Sequence, residues 1–295
     1  MNSRLIPDVL SNIASYIPKD TYQSYCLVSR DFYESSIHNS IQNIDQKLSY
    51  YCEKGKIDNA RNIFNKSSKR ARKLAFRMAC INGHLEIVKW LNCEANINIH
   101  TSSEYSFRMA CINGHLEVAK FLYSIGDVDI HSKNNQAYEL SCLYGHLDIL
   151  KWLHSLDSKY INLNKNQMFI NACYNGHLET SKWLYNDIGN IDIHHHDNSA
   201  FISSCYNGHL QVTFWLYYIL GGIDIKKYYS IISKDACRNG HIHMIKWIYS
   251  FGVIDTHKRH CLQQISYENN HYDIVVWLNR IKLMEYEHQN KNDVY

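Results

Sequence analysis

The chain has 295 residues, 45% of them hydrophobic, with 31 Lys and Arg against 28 Asp and Glu and a net charge of +3. That balance is only mildly basic, short of the cationic patch of a dedicated nucleic-acid binder, and no stretch approaches the roughly 20 apolar residues that cross a bilayer. Arg4, Pro7 and Asp8 interrupt the short apolar runs at the start, which is not the layout of a secretory signal.

In chain order the first predicted elements are two short helices within residues 4–34. Pro7 suits the first turn of a helix, where its missing N–H is not needed, and Val9, Leu10, Ile13 and Ile17 follow at helical spacing. Asp20 suits the cap of a second helix with Leu27, Val28 and Phe32 on its inner side. Both prolines of the chain, Pro7 and Pro18, fall in this stretch. That break in composition marks residues 1–45 as a separate module.

From there the chain repeats. Gly83-His84, Gly114-His115, Gly145-His146, Gly176-His177, Gly208-His209 and Gly240-His241 recur every 31 or 32 residues, and Asn270-His271 continues the phase. Six residues after each His stands Trp90, Phe121, Trp152, Trp183, Trp215, Trp247 or Trp277. A fixed period means an array of units that each contact their neighbours, not one globular core. Within the unit Tyr105–Tyr123, Phe107, Ala110 and Cys111 form one apolar face of a short helix. Gly114 ends it, where positive φ costs glycine little. A second helix begins near Leu116 with Val118, Phe121 and Leu122 inward, and a polar extended loop with an Asp-Ile-His pattern follows. The tryptophans share a buried helix phase, which makes them core residues and not a stacking platform for nucleotides. The units run 73–103, 104–134, 135–165, 166–197, 198–229, 230–260 and a terminal 261–290. A degenerate first unit covers 46–72, where Lys56 replaces the His and Tyr51, Cys52, Gly55, Ile57 and Asp58 keep the phase.

Cys80, Cys111, Cys142, Cys173, Cys205 and Cys237 each lie four residues before the repeat position His. Equivalent positions in stacked helices are about 8–10 Å apart, too far for disulfides, which need about 4.4–6.8 Å between Cα atoms. Reduced core thiols in a cytoplasmic or nuclear protein are expected. Each repeat offers zinc two ligands where about four are needed, so Cys-x-x-x-His reads as a core Cys and a turn-stabilising His. His194-His195-His196 reads as an exposed loop. The basic run Lys66, Lys69, Arg70, Arg72 and Lys73 has the composition that attracts nucleic acid, anionic lipid or an import receptor, but reads first as a solvated inter-repeat loop. No phosphate-cradling loop, nucleophile elbow or carboxylate pair stands above the periodic background. No catalytic residue, cofactor or metal is expected.

The small pairs Ala79-Cys80, Ala110-Cys111 and Ala172-Cys173, followed by Asn-Gly-His-Leu-Glu-Ile/Val and Lys-Trp-Leu as in Asn82 to Leu91, resemble the ankyrin repeat. The resemblance spans about residues 73–280, with a period of 31–32 instead of 33 and without the usual Thr-Pro-Leu-His start. It implies an all-α solenoid of helix-turn-helix units. Long, Pro-poor arrays of this kind are also similar to the ankyrin proteins of giant DNA viruses of the mimivirus type. The N-terminal order Leu-x-Pro-Asp-Val-Leu-x-x-Ile, then Leu-Val-Ser-Arg-x-Phe, is similar to the F-box over about 40 residues. An N-terminal helical cap for the array would show the same periodicity.

These resemblances imply a monomeric protein-interaction scaffold. With an F-box it would be the substrate receptor of a cullin–RING ubiquitin ligase, Leu5, Pro7, Val9, Leu10, Ile13 and Val28 docking on the adaptor. Without one it would be a ligase-independent scaffold that sequesters a host or viral protein. Target-binding residues are expected where the units differ most, at His100, Thr101, Ser102, Lys133, Asn134, Asn164, His195, His196, Lys226 and Lys227. No membrane partner is implied, and a viral protein of this kind would act in the host-cell cytoplasm.

Overall fold

The computed structural model describes residues 43–281, and of 159–164 only the backbone. The two helices expected within residues 4–34 and the expected adaptor contacts Leu5, Pro7, Val9, Leu10, Ile13 and Val28 lie outside the described residues, as does the side chain of Asn164. Every regular element among the described residues is helical. Two compact units are resolved, one ending at Asn98 and one beginning at Ile99.

The first unit holds α1 (Ile44–Glu53), α2 (Ile57–Phe64), α3 (Lys69–Ile81) and α4 (Leu85–Ala95). The second holds six further helix pairs: α5 (Thr101–Ile112) with α6 (Leu116–Ile125), α7 (Ser132–Leu143) with α8 (Leu147–Leu156), and α9 (Lys159–Tyr174) with α10 (Leu178–Trp183), which runs on as a π-helical turn (Leu184–Ile188). Then come α11 (His195–Tyr206) with α12 (Leu210–Ile219), α13 (Ile225–Arg238) with α14 (Ile242–Tyr249), and α15 (Thr256–Glu268) with α16 (272–281). First helices pack on first helices of the next repeat, which makes the second unit a stretch of solenoid.

Each pair turns in the same way, and the sequence dictates how. Asn113 caps α5, Gly114 takes φ +82° and the N–H of His115 returns to the Ala110 carbonyl at 2.9 Å. This is the left-handed closure that satisfies the last carbonyls of a helix. The histidine of the following repeat then reaches back over that turn. His146 donates from Nε2 to the Ile112 carbonyl at 2.9 Å, and a Cβ placed on Gly114 would stand 2.8 Å from its ring. The same clasp joins His177 to Leu143 (2.9 Å), His241 to Tyr206 (3.1 Å) and His271 to Arg238 (2.8 Å), and within the first unit His84 to Glu53 (2.8 Å). The turn-stabilising histidine expected from the sequence acts on the turn of the preceding repeat and so joins two repeats.

Burial follows the repeat. Phe107, Ala110, Cys111, Val118 and Leu122 are buried as their spacing requires, and the Phe107 position is taken by Tyr138, Phe169 and Phe201 in the repeats that follow. The six repeat cysteines, with Cys52, are buried thiols outside any disulfide. Burial pushes Cys52, Cys142, Cys173 and Cys205 up to about 12 and Cys237 to about 11, because the apolar surroundings disfavour a thiolate.

Two expectations are corrected. The tryptophans are not uniformly core: Trp183 is buried, whereas Trp90, Trp152, Trp215, Trp247 and Trp277 are half-buried. Fully buried places belong to the next residue along, Leu91, Leu122, Leu153, Leu184 and Leu216. Each tryptophan of the second unit instead lies edge-on against the ring two places beyond the equivalent position one repeat earlier. Trp152 meets Tyr123 at 5.7 Å, Trp183 His154 at 5.8 Å, Trp215 Tyr185 at 5.8 Å, Trp247 Tyr217 at 5.7 Å and Trp277 Tyr249 at 5.6 Å. The basic run is not a loop beyond Ser68. Ser68 caps α3 by accepting from the Ala71 N–H, so Lys69, Arg70, Arg72 and Lys73 occupy its first turns. Arg72 lies over the Phe64 ring at 4.2 Å and donates to the Phe64 carbonyl at 3.1 Å.

Candidate functional site

The expected extended loops are tight, and their shape comes from a left-handed turn that the sequence does not announce. Residues 102–104, 133–135 and 196–198, inside the opening turns of α5, α7 and α11, all have positive φ, between 49° and 65°, at the same point of three repeats. The right-handed part of each helix therefore starts only after them. Left-handed backbone costs an ordinary residue about 1–2 kcal/mol, least for short polar side chains. Side-chain bonds span the turn: His100 Nδ1 to Glu104 Oε1 at 2.8 Å, and His194 Nδ1 to Asn198 Oδ1 at 2.8 Å. Asp129 and Asp192 brace the approach by accepting the N–H of His131 and His194. Other repeats enter their first helix differently, with Ser68, Asp224 or Asp255 as a side-chain cap.

This geometry decides what the expected target contacts present. His100, Ser102, Lys133, Asn134 and His196 are exposed at the turns, with Thr101 and His195 half-buried beside them. Lys226 and Lys227 are exposed in the first turn of α13, where Asp224 caps the helix by accepting the Lys226 N–H at 3.0 Å. The candidates of the second unit thus share one edge, the start of the first helices. Lys227 is engaged there: its Nζ donates to Asp197 Oδ1 at 2.8 Å and lies 4.8 Å from the Tyr228 ring centre. Tyr228 also donates to Asp197, at 3.0 Å, and accepts from Asn198 at 2.8 Å. The Lys227 bond, with help from Tyr228, holds the Asp197 carboxyl below the usual carboxylate range, and its counterpart raises the Lys227 ammonium. Asp197, Asn198 and Tyr228 were not singled out from the sequence, because their partners lie about one repeat away. His195 lies against Asp192 at 3.6 Å and against the His196 ring, with 4.1 Å between ring centres. Among the described residues, no group of three or more His, Cys, Asp or Glu is placed to hold a metal ion. Likewise, no described helix is long and apolar enough to cross a membrane.

A second surface was missed in the sequence although its signal is there. Tyr105, Met109 and Ile112 lie on the side of α5 opposite Phe107 and Cys111, and all three are half-exposed. Leu140 and Leu143 continue the row on α7, and Tyr174 and Tyr206 at the ends of α9 and α11 are 45% and 43% exposed. The carbonyls of Ile112, Leu143 and Tyr206 are the clasp acceptors, so the bonds that join the repeats also fix the backbone from which this row projects. Apolar residues on both faces of a first helix are more than the core requires. That excess was readable as i, i+4, i+7 spacing.

Among solved structures, the human ASB11 ankyrin repeat domain is similar with a TM-score of 0.45 and 18% identity, over 60% of this chain and 83% of that one. No curated protein matches by sequence. The family model described as "Ankyrin repeats (3 copies)" matches residues 76–167 and again 140–229, together more than half of the chain. With its helix pairs, glycine turns and stacked first helices, the chain belongs to the ankyrin-repeat family.

Proposed function

We propose that this ankyrin-repeat protein is the substrate receptor of a cullin–RING ubiquitin ligase, with the repeats holding a target protein and residues 1–45 docking on the ligase adaptor. Repeat arrays of this class are protein-interaction scaffolds that bind across an extended surface. The observation that carries target binding is the half-exposed apolar row from Tyr105 to Tyr206 beside polar residues that differ from turn to turn. Aromatic and aliphatic anchors with a polar rim are what an interface needs. His100, Thr101, Ser102, Lys133, Asn134, Asn164, His195, His196, Lys226 and Lys227 would supply that rim.

The ligase half is supported by the F-box-like order of residues 4–34 and by nothing in the repeats. Leu5, Pro7, Val9, Leu10, Ile13 and Val28 would meet the adaptor. A protein of this kind from a large DNA virus would work in the host-cell cytoplasm. Co-purification of a purified ligase adaptor with the full chain, with a chain lacking residues 1–45 and with a Leu10→Ala, Ile13→Asp variant tests the reading. Adaptor recovered by the full chain alone supports it. No adaptor in any arm, with the repeats still folded, leaves a ligase-independent scaffold.

A further inference from the structure

Within the first unit, α1 and α3 enclose a groove of about 1060 Å³. Its α3 wall is Arg70, Lys73, Leu74, Arg77 and Met78, and Tyr50 stands on the α1 wall. Leu74 is 48% exposed in the middle of the cationic wall. The acidic groups at the other wall have partners within the repeat. Asp45 accepts from the Ser68 N–H at 2.8 Å and from its hydroxyl at 2.5 Å, and Glu53 meets Lys54 at 3.1 Å. The groove thus offers apolar Leu74 and Met78 set among positive charges on one side.

We infer that this groove seats the chain's own residues 27–42. Asn43 both lines the groove and caps α1, so the preceding residue is delivered at its edge. Even fully helical, sixteen residues would span about 24 Å, against about 20 Å for the thirteen of α3. The segment carries apolar residues to cover Leu74 and Met78: Phe32, and Ile37 with Ile41 at i, i+4. Against one arginine, Arg30, it also carries Asp31 and Glu34, opposite in sign to Arg70, Lys73 and Arg77. The inference does not depend on the ligase reading. If both hold, Phe32, Ile37 and Ile41 serve the groove, and Leu5, Pro7, Val9, Leu10, Ile13 and Val28 remain for the adaptor.

The test uses the full chain with a photo-crosslinking phenylalanine analogue at position 74, read by mass spectrometry, together with amide hydrogen exchange. The expected result is a crosslink within one chain to residues 27–42. Exchange in that segment should be slowed at least tenfold relative to an unstructured peptide. Leu74→Asp should abolish this slowing while α1 to α4 keep theirs. Glu34→Lys with Asp31→Lys, which leaves the repeats untouched, should do the same, and Arg70→Glu with Lys73→Glu in that background should restore it. Crosslinks to another segment, to a second copy or to nothing would overturn the inference. So would exchange in 27–42 that neither set of changes alters.

Discussion

The Gly114–His146 contact shows how much can rest on a missing methyl group. An alanine at Gly114 would have to hold φ near +82° and push the His146 ring from its carbonyl. From about 1–2 kcal/mol for the backbone and about 1 for the hydrogen bond, Gly114→Ala should cost about 2–3 kcal/mol in urea unfolding. His146→Ala removes the same contact, so the double variant should cost less than the sum by at least about 0.5 kcal/mol; strict additivity would refute the clasp. Burial of the clasp imidazoles also sets a pH dependence, against the pull of their hydrogen bonds to the carbonyls. Partial burial holds His146, His209 and His241 below the ordinary imidazole value of 6.5, with neighbouring histidines adding to the effect. As pH falls through 6.5, the unfolded chain takes up protons that the native imidazoles still refuse, so stability is full above that value and declines below it. Urea midpoints measured from pH 8 down to pH 5.5 should be level at first and then fall. A His146→Gln, His209→Gln, His241→Gln chain should show a flatter profile.

At the scale of elements, the second helices hold to one another edge to edge through their rings. Trp183→Ala removes a buried ring and should cost about 3–5 kcal/mol. Trp152 is half-buried, so Trp152→Ala should cost less, about 2–3 kcal/mol. Equal losses in chemical denaturation would show that depth is unimportant and that the Trp152–Tyr123 contact carries the energy. The turn at Lys133 makes the opposite prediction. With φ 55° and ψ 46°, Lys133→Gly should stabilise the chain by about 0.5–1 kcal/mol, since the relieved strain exceeds the entropy lost. The helix pairs were legible because glycine, histidine and the apolar positions recur at one period. The depth of the tryptophans was not, since a helical phase gives the direction of a side chain and not how much protein lies over it. The left-handed turns were hidden because Ser102, Lys133 and His196 stand where glycine would have signalled them. The Asp197–Lys227 pair was invisible because its members are thirty residues apart and meet only once the repeats stack.

Across the whole molecule, the cysteines are a built-in reporter of folding. Of those in the described residues, Cys93 is exposed and Cys261 partly so, while Cys52, Cys80, Cys111, Cys142, Cys173, Cys205 and Cys237 are buried. A thiol reagent on the native chain should modify Cys93 first and Cys261 more slowly, and should reach the buried set only on unfolding. Peptide mapping that finds Cys142 or Cys173 modified as fast as Cys93 would contradict the packing. The clasp, finally, gives synthesis a direction. His177 needs the Leu143 carbonyl and His271 that of Arg238, always in sequence already translated. A ribosome releases the chain in that order, so each emerging imidazole meets an acceptor that is already built. A nascent chain paused at a repeat boundary leaves no clasp donor waiting for sequence still in the exit tunnel. Trimming from the C-terminus should therefore be tolerated better than trimming from the front, which strands a histidine at every cut.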